Sequence, residues 1–444
     1  MDMIILSQTA PQNSIPRQTS LRKISLVVYT ALAITLLTGC GSSRQSSDTN
    51  VENSISEQPD IPSTEQPETP ITEPENTPPI AVITNYGLGK VGATYTIDGS
   101  SSRDTDGDSL TFDWMIVSKP ESSLTVFDIR NDKTVKFEPD FPGDYIIELL
   151  VSDGVETGSQ QVKFTAATQI KDDIFIDTDL VLERHPYIVA RDITIMEGAT
   201  LTIPPGVKLY TSEHPLYYGS PYKSFSKVTV LGEFLALGNE SEQIELNDLR
   251  MDIKGKVEIS HSTISFKQSN NGSNTSISGI DSISSDNANV IIRNSKFYGG
   301  GVLIIEQRSN DANLEGNIFT RGWKISTYDG GWSSYDGKIN IRNNLFDSGY
   351  SNRYEGQLVI NLITNSNTTI EKNSFINNVS YAVTLNDRAS VGVDGGVLLA
   401  NNYWDTVNDE EIKPLIHDEY YQQYGNFDFT PFLLEHHADT PTRN

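Results

Sequence analysis

The sequence has one cysteine, Cys40, among its 444 residues. No intramolecular disulfide can form, so buried apolar surface and hydrogen-bonded sheets must hold the fold together. Positive charge is also scarce: 33 Lys and Arg residues face 59 Asp and Glu residues, and the formal net charge is −26. So acidic a surface repels nucleic acid and anionic lipid headgroups. We therefore expect no nucleic-acid partner.

Long apolar runs are missing as well. The longest mostly apolar run extends from Ile24 to Leu37, which is shorter than the roughly 20 residues that a bilayer-spanning helix needs. Arg22 and Lys23 precede this run, and Cys40 follows it closely. A short positive region before an apolar run of this length is typical of a secretory signal.

The residues Leu37-Thr38-Gly39-Cys40 resemble the lipobox of bacterial lipoproteins, in which a leucine and two small residues precede a cysteine. The resemblance implies that residues 1–39 are a cleaved signal peptide and that Cys40 is acylated, with outer-membrane lipid as its partner. In Gram-negative lipoproteins an aspartate after the cysteine marks inner-membrane retention. Gly41 stands there instead, which implies an outer-membrane location. The alternative is a short transmembrane anchor, or an ordinary signal peptide with a chance cysteine.

Residues 40–78 are rich in Ser, Gln, Glu, Thr and Pro and contain no aromatic residue. Such a segment cannot bury enough apolar surface to offset the entropy of ordering. Its prolines and like charges favour an extended chain. The composition therefore predicts a disordered acidic tether that follows the lipidated cysteine.

Apolar and polar residues alternate from residue 79 to about residue 167, and turns recur every ten residues or so. In the clearest strand Tyr145, Ile147, Leu149 and Val151 fall on one face at period two. This pattern predicts a small antiparallel β-sandwich over residues 79–167.

Two motifs in this region, "DGSSSRDTDGDSLTFDW" and "PGDYIIELLVSDG", resemble the PKD domain, an immunoglobulin-like module of bacterial surface proteins and exported enzymes. The family's Trp-Asp-Phe-Gly-Asp-Gly form is absent, since Trp114 is followed by Met115, as in the cadherin-like branch of the family. The resemblance implies a spacer or a sugar- or protein-binding unit rather than a catalyst.

The first of these motifs carries alternating carboxylates on a glycine-containing turn. Carboxylates at such spacing can converge on a hard cation such as Ca²⁺. The candidate ligands are Asp104, Asp106 and Asp108, which Asp153 of the later turn could join. The alternative is a solvated polar turn without a metal.

From residue 174 onward the chain repeats a unit of an apolar strand, a small residue or Asn, and an aromatic residue. The units are "VIIRNSKF", "ANLEGNIF", "INIRNNLF", "TIEKNSF" and "LLANNYW", and their aromatic residues lie 22 to 29 residues apart. A period in this range indicates stacked coils. We expect the aromatic residues to stack inward from coil to coil. We also expect the Asn residues to adopt the left-handed backbone of a corner and to form an amide ladder.

The segments "DITIMEGATLTIPPGVKLY", "NNYWDTVNDEEIKPLIHD" and "FDFTPFL" resemble the opening coil, closing coil and C-terminal cap of secreted right-handed parallel β-helix proteins. The resemblance implies such a domain over residues 174–434, before a disordered tail at 435–444 in which His436 and His437 are solvated. The predicted fold class is therefore all-β, a small β-sandwich followed by a right-handed parallel β-helix. This fold carries lyases, hydrolases, adhesins and inert scaffolds, so it does not determine function.

No motif joins the residues that could support catalysis in this fold. The candidates are scattered over Lys324, Asp329, Asp336, Arg342, Asp347 and Arg353. No His-Glu-x-x-His pair, Gly-x-Ser-x-Gly elbow or phosphate loop occurs in the sequence. We therefore assign no catalytic residue.

An aromatic interruption, "GWKISTYDGGWSSYDG", separates two coils and contains Trp323, Tyr328, Trp332 and Tyr335. Loops that leave a regular scaffold are common sites of function, and flat aromatic faces suit sugar rings. These four residues are the candidate glycan-binding residues; the alternative is that their rings cover the coil as satellite core. The favoured function is a non-catalytic surface lipoprotein that binds extracellular or cell-wall glycan. The alternatives are a polysaccharide lyase or hydrolase and a passive structural protein.

Overall fold

The computed structural model describes residues 75–84, 86–211, 213–215, 223–266, 282–286, 288–299, 301–306, 310–320, 323–328, 338–347, 358–362, 368–378, 381–388, 397–418 and 427–442. The predicted signal peptide, Cys40 and nearly all of the predicted tether lie outside these residues. The described chain is all-β, with parallel and antiparallel sheets and only short helical turns. Within these ranges no helix is long and apolar enough to cross a membrane.

The first part of the described chain forms two sheets on one core. Its strands are β1 (Leu88–Lys90), β2 (Tyr95–Asp98), β3 (Thr111–Ser118), β4 (Thr134–Phe137), β5 (Gly143–Ser152) and β6 (Thr157–Ile170). Strands β3, β5 and β6 pair antiparallel, as do β2 and β4, while β1 runs parallel to β6. The four inward residues predicted for β5 are fully buried, which confirms their common face.

The remaining chain winds through three parallel sheets, which we call A, B and C, in that order. Sheet A contains β7 (Thr178–Asp179), β10 (Thr200–Ile203), β15 (Glu233–Leu237), β18 (Lys256–Ser260), β21 (Asn289–Arg293), β24 (Ala312–Glu315), β27 (Ile339–Arg342) and β30 (Thr368–Glu371). Sheet B contains β8 (Tyr187–Val189), β11 (Lys208–Thr211), β16 (Ile244–Asn247), β19 (Ser262–Ser265), β22 (Lys296–Tyr298), β25 (Ile318–Thr320), β28 (Leu345–Asp347) and β31 (Ser374–Ile376).

Sheet C completes each coil. It contains β9 (Ile193–Ile195), β14 (Lys227–Val230), β17 (Arg250–Ile253), β20 (Ser282–Asp286), β23 (Gly301–Glu306), β26 (Trp323–Tyr328), β29 (Leu358–Leu362), β32 (Val383–Arg388) and β34 (Ile416–Asp418). A two-stranded hairpin, β12 (Glu213–Pro215) and β13 (Lys223–Phe225), interrupts the step from β11 to β14. Three parallel sheets that advance one strand per coil are compatible with the predicted β-helix.

An aromatic stack runs through the interior along sheet B, as the repeats predicted. The ring centroids of successive members lie 4.5, 5.2, 4.8 and 4.7 Å apart, and the planes are within 19° of parallel. All members are fully buried: Phe297, Phe319, Phe346, Phe375 and Trp404. The stack holds adjacent coils in register, because each ring contacts its neighbours above and below.

An asparagine ladder runs beside this stack and is also confirmed. Asn317, Asn344, Asn373 and Asn402 are fully buried, and the side-chain oxygen of each accepts from the backbone N–H one coil earlier, at 2.9 to 3.0 Å. Each amide nitrogen donates to a backbone carbonyl. The ladder therefore satisfies polar groups that the corner would otherwise leave unpaired in the core.

The left-handed backbone lies one residue earlier than we predicted. Asn294, Asn343, Lys372 and Asn401 have φ between 48° and 60°, and each immediately precedes a ladder residue or Ser295, which takes that place one coil before Asn317. Gly316 occupies this place in one coil, where a Cβ would lie 2.4 Å from the Oδ1 atom of Asn294. At each corner one residue adopts the left-handed backbone and the next residue forms the ladder hydrogen bonds. We had predicted that a single Asn would do both.

Strand β6 belongs to both parts of the fold. Residues 157–166 pair with β5, and residues 168–170 pair with β8 of sheet B. Phe164 packs in the core of the first part and Ile170 packs in the core of the coil. Because both positions are even-numbered, the two cores lie on the same side of one continuous sheet.

The closing region contains α1 (Asp409–Ile412), a 3-10 helix at Lys413–Leu415 and the paired strands β33 (Val397–Leu398) and β35 (Phe427–Asp428). A further 3-10 helix, Leu182–Arg184, precedes β8. The prediction of a disordered tail is wrong for residues 435–442, but His436 is exposed and His437 is partly exposed, in keeping with the predicted solvation. His436 Nδ1 lies 2.8 Å from the Oγ atom of Ser374, its ring lies 4.6 Å from that of Tyr403, and Thr440 donates to the carbonyl of Lys372. These contacts hold the tail against the last coils.

Candidate functional site

Trp323 lies in the core rather than at the surface. It is 1% exposed, its ring centroid is 4.8 Å from that of Phe297, and its Nε1 atom donates to the carbonyl of Tyr298 at 2.9 Å. Gly301 makes room for the ring, since a Cβ there would lie 2.9 Å from it. The expectation that Trp323 offers its ring to a glycan is therefore wrong, and the alternative of satellite core is correct for this residue.

The other three residues of the aromatic interruption are not placed in a site. Tyr328 is the last residue of β26, and the structure does not describe its side chain. Trp332 and Tyr335 lie outside the described residues, in the connection from β26 to β27. Glycan binding by these residues stays a prediction.

Two of the predicted calcium ligands, Asp104 and Asp153, stabilise their own turns. Asp104 Oδ1 accepts from the backbone N–H groups of Asp106, Gly107 and Asp108 at 2.8 to 3.4 Å. The oxygen Oδ2 of Asp104 is buried without a hydrogen-bond partner. The backbone N–H groups after Asp153 donate to that carboxylate and lower its pKa.

Across the described ranges, no three His, Cys, Asp or Glu side chains gather as a group that could hold a metal ion. Asp106 instead accepts from the backbone N–H of Thr77 at 2.7 Å. Calcium binding by Asp104, Asp106, Asp108 and Asp153 therefore stays a prediction.

The described residues among the catalytic candidates do not come together. Lys324 lies on sheet C, Arg342 lies on sheet A, where its Nε atom is 3.3 Å from Glu371, and Asp347 is buried at the end of a sheet B strand. Asp329, Asp336 and Arg353 lie outside the described residues. The three described candidates occupy three different sheets and do not form one site.

A row of polar and aromatic side chains that the sequence analysis missed lies on the outer side of sheet B. In strands β11, β16, β19 and β22 the inward residues Leu209, Leu246, Ile264 and Phe297 are fully buried. Alternation therefore directs the residues on either side of them outward. The outward residues are Lys208, Tyr210, Glu245, Asn247, Thr263, Ser265, Lys296 and Tyr298, and we call this surface the tyrosine face.

The second row of the tyrosine face has two tyrosines at its ends. The parallel register places Tyr210 beside Asn247, Asn247 beside Ser265, and Ser265 beside Tyr298. Neighbouring strands lie about 4.8 Å apart, so the row extends for about 14 Å along the coil axis. Tyr298 is 38% exposed, so its ring is accessible from solvent.

The middle of this row offers unused hydrogen-bonding capacity. Ser265 donates to Oδ1 of Asn247 at 2.7 Å, which fixes the orientation of the amide. The Nδ2 atom of Asn247 has almost no solvent exposure and no hydrogen-bond partner. Because solvent barely reaches this nitrogen, a ligand oxygen could accept from it only after the Asn247 side chain turns outward.

The first row of the face carries charge. Lys208 and Glu245 form an ion pair at 2.9 Å, and its hydrogen bond raises the pKa of Lys208. Both side chains are 41% exposed, so the pair contributes little to stability. Burial, followed by the charge of Glu245, raises the pKa of Tyr210. The phenol of Tyr210 is therefore protonated at neutral pH and available as a donor.

A signal for this face was present in the sequence. Tyr298 directly follows the stacked Phe297, and Tyr210 directly follows the buried Leu209. Applying the period of two across the repeats would have placed both tyrosines outward on the same sheet. The predicted site was placed instead on the aromatic residues that interrupt the coils.

Comparisons with known proteins give little further information. No family model and no curated protein matches the chain. Among solved structures, part of the chain is similar to a nucleoside hydrolase-related hypothetical protein from Saccharophagus degradans that is associated with carbohydrate metabolism. The identity is 23%, the TM-score is 0.19, and the match covers 20% of this chain and 26% of that one. A likeness of this size does not reach the level of a shared overall fold.

Proposed function

We propose that this protein is a non-catalytic lipoprotein of the outer membrane that binds glycan on the tyrosine face. In this proposal the first part is a PKD-like sandwich and the coil is a right-handed parallel β-helix. The observation that carries the proposal is the row from Tyr210 to Tyr298, with Asn247 and Ser265 between the two rings.

The geometry of the row suits an extended polar polymer better than a compact small molecule. Its groups repeat at the strand spacing of about 4.8 Å, which is comparable to the length of one pyranose unit in an extended chain. Each tyrosine ring presents an apolar face beside hydrogen-bonding groups. A glycan lying along the coil axis would therefore meet aromatic, amide and hydroxyl groups in succession.

A first test concerns the tyrosine face. Tyr298→Ala should weaken binding of the best ligand from a glycan array by about tenfold, which is about 1.4 kcal/mol. The fold should be unaffected, because exposed side chains contribute within about 0.5 kcal/mol to stability. Isothermal titration calorimetry measures the affinity, and a thermal melt measures the stability.

Tyr86→Ala is the matched control, since Tyr86 is 56% exposed but lies in the first part of the fold. Its affinity should equal that of the wild type. If Trp332→Ala weakens binding and Tyr298→Ala does not, the ligand occupies the predicted aromatic interruption instead. Degradation of the ligand in a parallel lyase and hydrolase assay would show that the protein is an enzyme.

A second test concerns the anchor. Cys40→Ser should move the protein entirely from the membrane pellet to the soluble fraction, because a single thiol carries the proposed acyl chains. Gly41→Ser is the control and should leave the protein in the pellet, since it retains the thiol. Membrane-bound Cys40→Ser protein in a fractionation experiment would contradict the lipoprotein proposal.

A further inference from the structure

Ionisable side chains from several strands gather where β6 leaves the first part of the fold and enters the coil. Lys163 and Asp144 pair at 2.8 Å on β6 and β5, and Lys208 and Glu245 pair at 2.9 Å on β11 and β16. His185 interacts electrostatically with Lys208, Asp144 and Glu245. We call these five residues the joint cluster.

His185 lies between the two residues that fasten β6 to the coil. The backbone N–H of Thr168 donates to the carbonyl of Pro186 at 2.8 Å, and its hydroxyl donates to the carbonyl of Arg184 at 2.7 Å. Thr168 is the first residue of β6 to pair with β8. The position of the imidazole is therefore tied to the start of this pairing.

The surroundings of the ring favour its neutral form. The Nδ1 atom of His185 is buried and has no hydrogen-bond partner. Burial, and then the nearby Lys208, lower the pKa of His185, while Asp144 and Glu245 raise it by less. Other ionisable groups on these strands and beside the ring include Tyr145, Glu148, Lys163, Glu183, Arg184, Tyr187 and Tyr210, and burial raises the pKa values of Tyr187 and Tyr210.

We propose that the joint is pH-sensitive: protonation of His185 weakens the pairing of β6 with β8 and loosens the coil from the first part of the fold. A charged imidazole requires hydration that its buried edge does not have, and it lies beside a lysine. Moving the ring toward solvent displaces the carbonyls on either side of it, which hold Thr168. This proposal does not rest on glycan binding.

The direction of the effect follows from linkage. Since the pKa of His185 is lower in the folded joint than its ordinary value of 6.5, the folded joint binds fewer protons than the open one. The joint is therefore at full stability above pH 6.5. It weakens as the pH falls below 6.5, until the pKa of the folded form is reached.

Hydrogen exchange at different pH values tests the proposal in the full protein. Peptides that contain Thr168 and Ala190 report the joint, because these amides donate across it, and peptides that contain Phe297 report the coil interior. Between pH 7.5 and pH 5.5 the protection of the joint, corrected for intrinsic rates, should fall relative to the interior. The fall is at most about tenfold for each unit by which the pKa is lowered.

Three variants decide the outcome. His185→Gln should remove the pH dependence, since glutamine does not titrate, while His437→Gln in the tail should retain it. Lys208→Met should reduce the pH dependence, because loss of the cation raises the pKa of His185. If His185→Gln keeps the wild-type dependence, or if the His185 ring titrates at or above pH 6.5 by NMR, the proposal is wrong. If His185→Gln does not fold, the Lys208→Met variant and the NMR titration of the His185 ring still test the proposal.

Discussion

Phe346→Ala is expected to lower the free energy of unfolding by about 3–5 kcal/mol. Phe346 is fully buried, and its ring lies 5.2 Å from that of Phe319 and 4.8 Å from that of Phe375. Alanine would leave a cavity between three coils. The backbone on both sides is fixed by parallel pairing with β25 and β31, so the coils cannot collapse to fill it.

Chemical denaturation followed by circular dichroism measures this loss. Phe346→Leu fills most of the cavity and should cost less than the alanine variant. Phe175→Ala is the matched control, because Phe175 is 68% exposed on the first coil and its removal should change stability by less than about 0.5 kcal/mol. Equal stabilities of Phe346→Ala and Phe175→Ala would mean that the stack does not hold the coils together.

Asn344→Ala is expected to cost at least about 2 kcal/mol, although it removes only a small side chain. The Oδ1 atom of Asn344 accepts from the backbone and the side-chain N–H groups of Asn317, and its Nδ2 atom donates to the carbonyl of Leu314. In the variant the backbone N–H of Asn317 and the carbonyl of Leu314 lose these bonds inside the core, while the Nδ2 atom of Asn317 keeps its bond to the carbonyl of Ile292. Each unsatisfied buried group costs about 1–3 kcal/mol.

Asn340→Ala is the control for this second stability prediction. Asn340 also donates from its amide to another asparagine, to Oδ1 of Asn313 at 2.7 Å, but this bond lies on the half-buried outer side of sheet A. Water can replace the lost bond there, so the expected cost is under about 1.5 kcal/mol. If the two variants unfold at the same denaturant concentration, the ladder contributes no more than a surface hydrogen bond.

The interior of the coil could be predicted from the sequence because its chemistry repeats. A ring at Phe297 can stack only on another flat side chain one coil away, and a buried amide at Asn317 needs the same amide in the next coil. These requirements recur in each coil, so the aromatic and Asn residues that meet them repeat in the sequence at the length of one coil. The residue in the left-handed conformation could be mislocated by one, because neighbouring Asn residues such as Asn343 and Asn344 satisfy the same pattern.

The candidate site was harder to predict because it depends on whether each side chain points into the core or toward solvent, which composition does not show. Trp323 and Tyr298 are both aromatic and both lie at the end of a strand, yet Trp323 is buried and Tyr298 is exposed. The difference arises from Gly301, whose missing side chain opens space for the indole one coil later. Such a void is formed by two residues far apart in sequence, and no local pattern reveals it.

The order of the tail had no local signal either. Residues 435–442 are polar and would be unstructured alone, but Tyr403 and Ser374 offer partners for His436 once the coils are stacked. The joint at β6 was also missed. Composition suggested a boundary after residue 167, whereas the strand continues to Ile170 and changes partners without a break.

The continuity of β6 has a mechanical consequence. A force that pulls the coil along the direction of this strand reaches the first part of the fold through the β5–β6 ladder, in which residues 143–152 pair with residues 157–166. Such a load acts on the whole ladder in shear, so its hydrogen bonds must fail together rather than one after another. A shared strand thus transmits tension directly between the two parts, whereas a flexible linker would have to extend before it transmitted any.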